Sequence, residues 1–269
     1  MKLANRVAVL TGAGGGIGRA TALALARRGC HLALADIDGP AVEQVACDAR
    51  QLGVRATHHR LDVADRAAVH AFPGLVDDAH GRVDLVINNA GVALGGSFEQ
   101  IAPEDFDWLM EINFHGVVRM TRAFLPHLRE SDEARIVNVS SIYGIISPPG
   151  QSAYSASKFA VRGFSNALRH ELEGTTVGVS VVHPGGVATA IAKNARAPKD
   201  APRDEIERGR AIAQRLLRMA PEQAGEIIVR GIARRQARIL VGGDAKFVAL
   251  LERLSPIHYW KLLKKATGR

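Results

Sequence analysis

The chain has 269 residues, of which 47% are apolar, so it is long enough to form a large buried core. Cys30 and Cys47 have neither metal-ligand spacing nor the pattern of a disulfide framework, and no apolar run reaches the roughly 18 residues of a membrane span. The N-terminus runs into a first strand without a secretory apolar segment. These features predict a cytoplasmic protein of one domain over residues 1–269, with two reduced, buried cysteines and no metal site.

The net charge of +8 comes from the C-terminal part of the chain. Residues 1–200 carry 20 basic and 20 acidic side chains, whereas residues 201–269 carry 15 basic and 7 acidic ones. The basic part has few aromatic residues and no recognisable nucleic-acid motif, which argues against a nucleic-acid partner. An acidic partner, an anionic substrate tail, a membrane surface and a solvated helical face are the open explanations.

A short apolar strand over residues 7–10 comes first and runs into Thr11-Gly-Ala-Gly-Gly-Gly-Ile-Gly18. An Ala- and Leu-rich helix over 19–28 follows. Glycines between a strand and a helix let a pyrophosphate approach backbone N–H groups at the positive end of the helix dipole. The order predicts a phosphate-binding turn containing Gly12, Gly16, Ile17 and Gly18, with an ordinary tight loop as the alternative.

The second strand, over residues 31–35, ends at Asp36, eighteen residues beyond Gly18. A carboxylate at that place can accept hydrogen bonds from both adenosine ribose hydroxyls and repels a 2′-phosphate. Asp36 therefore favours NAD(H) over NADP(H), although a solvated acid at a strand end is the alternative. A helix over 40–51 and a third strand over 55–60 follow and lead to Asp62 and Asp65, for either of which capping the next helix is an open alternative to a binding role.

The middle of the chain contains the candidate reaction chemistry. A buried strand over 85–87 precedes Asn88-Asn-Ala-Gly91, and a helix over 103–128 has at its centre Asn113, a poor helix former that needs a compensating contact. After a strand over 136–139 come Ser141 and, on a helix, Tyr154 and Lys158, whose spacing places them about 6 Å apart on one face. A neighbouring cation lowers the pKa of a phenol, as a proton carrier needs. A surface helix with an unrelated Tyr and Lys is the alternative.

The remaining elements complete an alternating pattern. A strand over 177–182 leads into His183-Pro-Gly-Gly-Val-Ala-Thr189, helices are expected over 204–219 and 221–235 before a strand over 239–241, and an amphipathic segment over 246–265 is broken near Pro256. Strands alternate with helices, so the crossover rule predicts an α/β fold with a Rossmann-like, doubly wound parallel sheet and helices on both faces.

Six motifs in order over about residues 5–190 resemble the short-chain dehydrogenase/reductase family, notably the TGxxxGxG turn, the NNAG run and the Ser-Tyr-Lys set. The resemblance implies that Ser141, Tyr154 and Lys158 are catalytic, and that the backbone carbonyl of Asn113 holds a water of the proton relay. It also implies that Lys158 and Tyr154 contact the cofactor, with Lys158 holding its ribose. Further cofactor contacts are implied at the adenine, along the dinucleotide and around the nicotinamide, and they involve Asp62, Val63, Asn89, Ala90, Gly91, Pro184, Gly185, Val187 and Thr189. His183 is assigned a structural role.

The resemblance implies an NAD(H)-dependent oxidoreductase that interconverts a secondary alcohol and a ketone or aldehyde. An insertion over about 188–220 is expected to cover a bulky, apolar substrate of the steroid, retinoid or fatty-chain type, with Leu216, Leu217 and Met219 either lining the pocket or belonging to the core. The alternatives are an NADPH-dependent carbonyl reductase, in which Arg19 holds the phosphate, and a dinucleotide-binding sensor or scaffold without turnover. A homodimer or homotetramer is expected. The basic segment over 246–269 is left as a peripheral membrane contact, a flap or a dimer contact.

Overall fold

The structure is a computed structural model that describes residues 1–266. Seven parallel strands form one sheet in the order β3-β2-β1-β4-β5-β6-β7. They are β1 Val7–Thr11, β2 His31–Asp36, β3 Ala56–Arg60, β4 Leu85–Asn88, β5 Ala134–Val139, β6 Val177–Pro184 and β7 Arg238–Val241. The strand order reverses between β1 and β4, which is where ligands bind in open α/β sheets. The predicted Rossmann-like parallel sheet is confirmed.

Ten α-helices connect and follow the strands in the described part of the chain. They are α1 Gly16–Ala26, α2 Gly39–Gln51, α3 Arg66–His80, α4 Pro103–Met110, α5 Gly116–Arg129, α6 Ser152–Glu171, α7 Arg203–Leu216, α8 Pro221–Ala233, α9 Gly243–Leu254 and α10 Tyr259–Ala266. A π-helical turn, Glu111–His115, joins α4 to α5 in one helical run, and a short 3₁₀ turn, Ile142–Gly144, follows β5. The predicted helix over 103–128 is thus present with a widened turn at its centre.

Both faces of the sheet are covered. Alternate residues of β1 point to opposite sides: Leu10 packs under α1, α2 and α8, and Val9 packs under α3 and α5. Because neither face meets water, the central strands are almost entirely apolar. Packing on both faces of the sheet holds the strand ends in fixed positions, and the candidate site lies at those ends.

The C-terminal part differs from the sequence-based expectation in some details. The helix expected over 204–219 ends at Leu216, and none of its residues is fully buried. The break expected near Pro256 lies between α9 and α10, whose inner faces pack on Ile145 and Ile146. Cys30 is buried as predicted, but Cys47 is only half-buried. Within residues 1–266, no helix combines the length and the apolarity needed to cross a bilayer.

Candidate active site

The turn between β1 and α1 leaves no room for a side chain at Gly12 or Gly18. Gly12 and Gly16 have φ values of +65° and +52°, which favour glycine. A carbon added at Gly18 would lie 1.9 Å from the Gly12 carbonyl oxygen, and one added at Gly12 would lie 2.8 Å from the Cα of Ala90. No side chain caps the N-terminus of α1, and no acidic residue lies in its first turn. The first N–H groups of α1, from Gly16 through Ile17 to Gly18, are therefore available to an anion.

Asp36 is fixed beside this turn at the end of β2. Its Oδ2 accepts a hydrogen bond from the Gly14 N–H at 2.8 Å, and its Oδ1 accepts one from the Asp38 N–H at 3.0 Å. Each carboxylate oxygen has lone-pair capacity for a second donor. The carboxylate is thus oriented by the backbone and can still accept hydrogen bonds from a diol.

The Asn88-Asn-Ala-Gly91 run binds the glycine turn to its neighbouring strand. The Asn89 side chain donates to the Thr11 and Gly12 carbonyl oxygens at 3.2 and 2.9 Å. The N–H groups of Asn89 and Ala90 in turn donate to the Thr11 hydroxyl. A carbon added at Gly91 would lie 3.1 Å from the Asn113 side-chain oxygen and 3.4 Å from Lys158 Nζ. The run therefore contacts both the glycine turn and the surroundings of Lys158.

Asn113 lies in the π-helical turn and is fully buried. Its Oδ1 accepts from the Val92 N–H at 2.8 Å, and its Nδ2 donates to the Val92 carbonyl at 3.0 Å and to the Ser157 hydroxyl at 3.1 Å. These three bonds are the compensation that a mid-helix asparagine requires. The water-holding role of its backbone carbonyl stays a prediction.

Tyr154 and Ser141 come together at the carboxyl end of β5. The Ser141 hydroxyl accepts a hydrogen bond from the Tyr143 N–H at 3.1 Å. Burial raises the pKa of Tyr154 to about 12, and the nearby Ser141 hydroxyl opposes this rise only in part. The lowered tyrosine pKa expected from the sequence is wrong, because the effect of burying the phenol outweighs that of Ser141.

Lys158 is buried one helical turn after Tyr154. Its Nζ donates to the Val139 carbonyl at 3.2 Å and lies 5.6 Å from the centre of the Tyr154 ring, close to the separation expected from the sequence. Burial lowers the pKa of this ammonium to about 8. Burial therefore favours the neutral form of both the Tyr154 phenol and the Lys158 amine.

The chain after β6 forms the opposite wall. His183 is buried with its Nδ1 2.8 Å from the Ser141 carbonyl oxygen, and burial lowers its pKa to about 4, so the neutral ring donates this bond. Pro184 ends the strand, and the Gly186 N–H donates to Asp244 at 2.7 Å. A carbon added at Gly185 would overlap that carboxylate. His183 supports the backbone of Ser141, in agreement with its assigned structural role.

Thr189 and Val187 extend this wall toward the glycine turn. A carbon added at Gly16 would lie 3.0 Å from the Thr189 methyl group, so the two loops meet across the sheet edge. Val187 is buried and pairs in parallel with Met219. The candidate nicotinamide residues therefore face the candidate phosphate residues.

Asp62 and Val63 lie on the far side of β1. Asp65 is the N-cap of α3, accepting from the N–H groups of Ala67 and Ala68. Asp62 accepts only from the Ala64 N–H at 2.9 Å in the loop after β3. Of the two acids that the sequence offered as the cap, Asp65 is the one that caps α3, and the adenine contact implied for Asp62 stays a prediction. Val63 is buried next to Gly116.

The segment over residues 190–216, here called the covering segment because the sequence predicts that it covers the substrate, has almost no buried residue. Residues 190–216 are fastened at Arg196, which pairs through its backbone with Leu94, forms an ion pair with Asp105 at 3.0 Å and stacks 3.4 Å from the centre of the Trp108 ring. A cavity of about 190 Å³ lies under this segment and is lined by Ala188, Thr189, Ala192, Lys193, Gln214 and Leu217. Leu217 thus lines a cavity, whereas Leu216 is exposed and Met219 packs against the core.

Several contributing residues had not been singled out from the sequence. Thr11 precedes the glycine turn and had a detectable signal in its fixed place before Gly12. Tyr143 packs edge to face on Tyr154 at 6.0 Å, and the Ser140 hydroxyl donates to the Lys158 carbonyl at 2.8 Å. Asp244 reaches Gly186 across 58 residues of sequence, and no local pattern indicates such a contact.

These features define a dinucleotide-binding oxidoreductase, and comparison with known proteins gives its family. A family model described as short chain dehydrogenase matches residues 6–200. The chain belongs to the short-chain dehydrogenase/reductase family.

Particular relatives extend the match over nearly the whole chain. A Mycobacterium tuberculosis protein named as an oxidoreductase, SadH, is 44% identical over 267 residues, or 98% of this chain and 96% of that protein. A short-chain dehydrogenase/reductase from Burkholderia phymatum, solved in complex with NAD, superposes with a TM-score of 0.87 at 31% identity over 94% of both chains. A metagenomic short-chain oxidoreductase in complex with NADP superposes with a TM-score of 0.72 at 29% identity, over 90% of this chain and 98% of the other.

Proposed function

We propose that this protein is an NAD(H)-dependent oxidoreductase that interconverts a secondary alcohol and a ketone or aldehyde. The observation that carries the proposal is the placement of the Tyr154 phenol near the Ser141 hydroxyl and beside the buried ammonium of Lys158, whose Nζ lies 5.6 Å from the centre of the Tyr154 ring, at the sheet edge that also holds the glycine turn. A hydroxyl donor, a proton carrier and a cation next to a phosphate-binding turn are the groups that alcohol oxidation requires from a protein.

Each residue of the set has a separate task. In the oxidative direction, Ser141 hydrogen-bonds the substrate oxygen and Tyr154 removes the hydroxyl proton. Lys158 favours the phenolate by its charge and holds the cofactor ribose, and Asn113 supports the proton relay. The nicotinamide, when bound, accepts or supplies the hydride. Because burial opposes ionisation of both Tyr154 and Lys158, each depends on the other and on bound polar groups for its charged form.

The glycine turn, the N-terminus of α1 and Asp36 together have the groups that suit a dinucleotide. The uncapped N-terminus of α1 and the positive φ values of Gly12 and Gly16 suit a pyrophosphate, and the oriented carboxylate of Asp36 suits the two hydroxyls of the adenosine ribose. Asp62, Val63, Asn89, Ala90 and Gly91 are proposed to contact the adenine half and the bridge, and Pro184, Gly185, Val187 and Thr189 the nicotinamide half.

NAD(H) is proposed as the preferred cofactor because the negatively charged carboxylate of Asp36 would repel a 2′-phosphate. The rival, an NADPH-dependent reductase, needs Arg19 as the phosphate ligand. The Arg19 guanidinium instead forms an ion pair with Asp48 at 3.0 Å, and Asp48 also accepts from Gln44. Using Arg19 for a phosphate would require this pair to open.

Fluorescence titration of the purified protein with NADH and NADPH tests the preference. NADH should bind at least about tenfold more tightly, which corresponds to about 1.4 kcal/mol. Asp36→Ala should weaken NADH binding and narrow the gap, whereas Arg19→Ala should leave NADPH binding unchanged. Tighter NADPH binding by the wild-type protein, together with its loss in Arg19→Ala, would establish the rival.

The substrate is proposed to be bulky and largely apolar, because Leu217, two alanines and Thr189 line the cavity beside the covering segment, with Lys193 and Gln214 available to bind a polar end of the substrate. Secondary alcohols of increasing chain length, assayed with NAD, should show a rise in kcat/KM of at least about tenfold along the series, as a buried methylene is worth about 1–3 kcal/mol. A flat or falling series would contradict this substrate class while leaving the reaction type intact.

A cytoplasmic homodimer or homotetramer is proposed as well, and light scattering of the purified protein measures its size.

A further inference from the structure

The outer face of the C-terminal helices carries a row of exposed apolar side chains, here named the C-terminal stripe. Phe247, Leu250 and Leu254 recur at intervals of three and four residues along one side of α9, and Ile257 follows in the break before α10. Their exposed fractions are 58%, 57%, 74% and 82%. A contiguous row of large exposed apolar side chains marks a surface that meets a partner.

The opposite side of the same helices is already occupied. Val248 and Ala249 are buried against Ile145 and Ile146, and the Tyr259 hydroxyl accepts a hydrogen bond from the Ser147 N–H at 2.9 Å. The inner face therefore fixes α9 and α10 to the body of the protein. The C-terminal stripe is held outward by this packing and has no room to turn inward.

Basic side chains border the stripe. Lys246, Arg253 and Lys261 are exposed, and no carboxylate of the described residues lies within 4 Å of their charged nitrogens. From residue 246 to the end of the sequence there are six Lys and Arg against one acidic residue, Glu252. The surface thus combines apolar protrusions with a positive field.

The combination of apolar side chains and positive charge distinguishes between two possible occupants of this surface. A second copy of the chain would place the same basic surface opposite itself in a two-fold contact, and the like charges would repel. A bilayer with anionic head groups attracts the lysines and arginine, and its interface accepts apolar side chains without requiring a matching shape. We propose that the C-terminal stripe and its basic border form a peripheral docking surface for an anionic membrane.

Docking at this face has a consequence for the site. The segment on which α9 and α10 rest contains Tyr143, whose ring packs on Tyr154, so the membrane would lie on the outer side of the helices that back the reaction centre. An apolar substrate dissolved in the bilayer would then have a short path to the protein. The proposed membrane binding does not depend on the proposed substrate class, because binding to vesicles is measured without turnover.

The test is co-sedimentation of the full-length protein with vesicles of phosphatidylcholine alone or with added phosphatidylglycerol. The protein should pellet with the anionic vesicles only, and less at high salt. Lys246→Gln with Arg253→Gln should lower the partition coefficient by roughly 25-fold, at about fivefold for each basic residue near the surface. Leu250→Ser with Leu254→Ser should lower it by at least about tenfold, as one buried apolar side chain contributes more than that alone.

A matched control uses exposed leucines elsewhere, Leu52→Ser with Leu75→Ser, which should sediment like the wild type. Unchanged melting temperature and unchanged turnover of a water-soluble alcohol establish that the stripe variants are folded, since none of the altered residues belongs to the reaction centre. Failure of the wild-type protein to pellet with anionic vesicles would overturn the proposal, as would equal loss in the control pair. A smaller oligomer for Leu250→Ser with Leu254→Ser, in a protein that ignores vesicles, would show that a second copy covers the stripe.

Discussion

The sheet edge that holds the candidate chemistry and the segment that covers it are built in opposite ways. At the edge, Gly12 and Gly18 leave no space for a single added carbon, and Asn113 and Lys158 are buried and hydrogen-bonded. Helix α7 of the covering segment has no buried residue, and the backbone pairings that hold this part of the chain lie outside the helix, at Arg196 before it and at Met219 after it. A tightly packed edge preserves one reaction geometry, whereas a loosely attached cover can change without disturbing the sheet. We infer that the reaction resides in the first region and the choice of substrate in the second.

The largest effect should come from removing the proton carrier at the edge. Tyr154→Phe retains the ring that packs on Tyr143 but deletes the phenol, and general acid-base groups contribute about 10²–10⁴-fold to turnover. We expect kcat to fall by that factor while NADH affinity changes little. Steady-state assays and NADH fluorescence titration measure the two quantities. Tyr143→Phe is the control, and retention of more than about a tenth of wild-type kcat in Tyr154→Phe would remove Tyr154 from its role.

Lys158 should destabilise the cofactor-free protein, because burial lowers its pKa from 10.5 to about 8. Below about pH 8 the ammonium is charged in both the folded and the unfolded chain, so the full burial cost applies. The cost shrinks between about pH 8 and 10.5, where only the unfolded chain keeps the proton, and is absent above that range. Lys158→Met should therefore raise the free energy of unfolding by up to roughly 3 kcal/mol at pH 7.

Denaturant unfolding of both proteins from pH 7 to 11 checks this expectation. The difference between them should close with rising pH. The raised pKa of Tyr154 removes stability from about pH 10 upward, but it does so in both proteins and cancels from the difference. A difference that is constant with pH would mean that the lysine contributes packing alone.

Gly18 measures how tightly the edge is packed. Gly18→Ala places a carbon against the Gly12 carbonyl, and overpacking of this kind costs about 1–3 kcal/mol, or about 2–4 °C in melting temperature for each kcal/mol. Gly163→Ala is the matched control, because this glycine also lies inside a helix but has nothing within 4 Å of the added carbon. It should stabilise the protein by up to about 1 kcal/mol through helix propensity. Equal shifts in melting temperature would show that the glycine turn can relax.

The accuracy of the predictions made from the sequence differs between the same two regions, the sheet edge and the covering segment. Glycine spacing, apolar runs and the interval from Tyr154 to Lys158 are local patterns, and they predicted the parallel sheet, the glycine turn and the placement of Tyr154 and Lys158 on one face of a helix. The tyrosine pKa was predicted in the wrong direction because it depends on how deeply the fold buries the phenol, which spacing does not report. The bond from Asp244 to Gly186 and the stacking of Arg196 on Trp108 join residues far apart in sequence. Contacts of the cover are of this kind, so its geometry had to come from the structure.

The smallest effect should come from loosening the cover. Arg196→Ala removes the stacking on Trp108 and the ion pair with Asp105. At partly exposed positions, such stacking is worth about 0.5–1 kcal/mol and such an ion pair less than about 1 kcal/mol. We expect KM for a bulky alcohol to rise about threefold to tenfold, while kcat and NADH affinity stay at wild-type values, and limited proteolysis within 190–216 to become faster. Arg196→Lys keeps the charge and should recover part of the KM. Because the backbone pairing with Leu94 is untouched, the melting temperature should change by only a few degrees. A fall in kcat comparable to the rise in KM would mean that the cover and the edge act as one unit, and the division between reaction and substrate choice would be wrong.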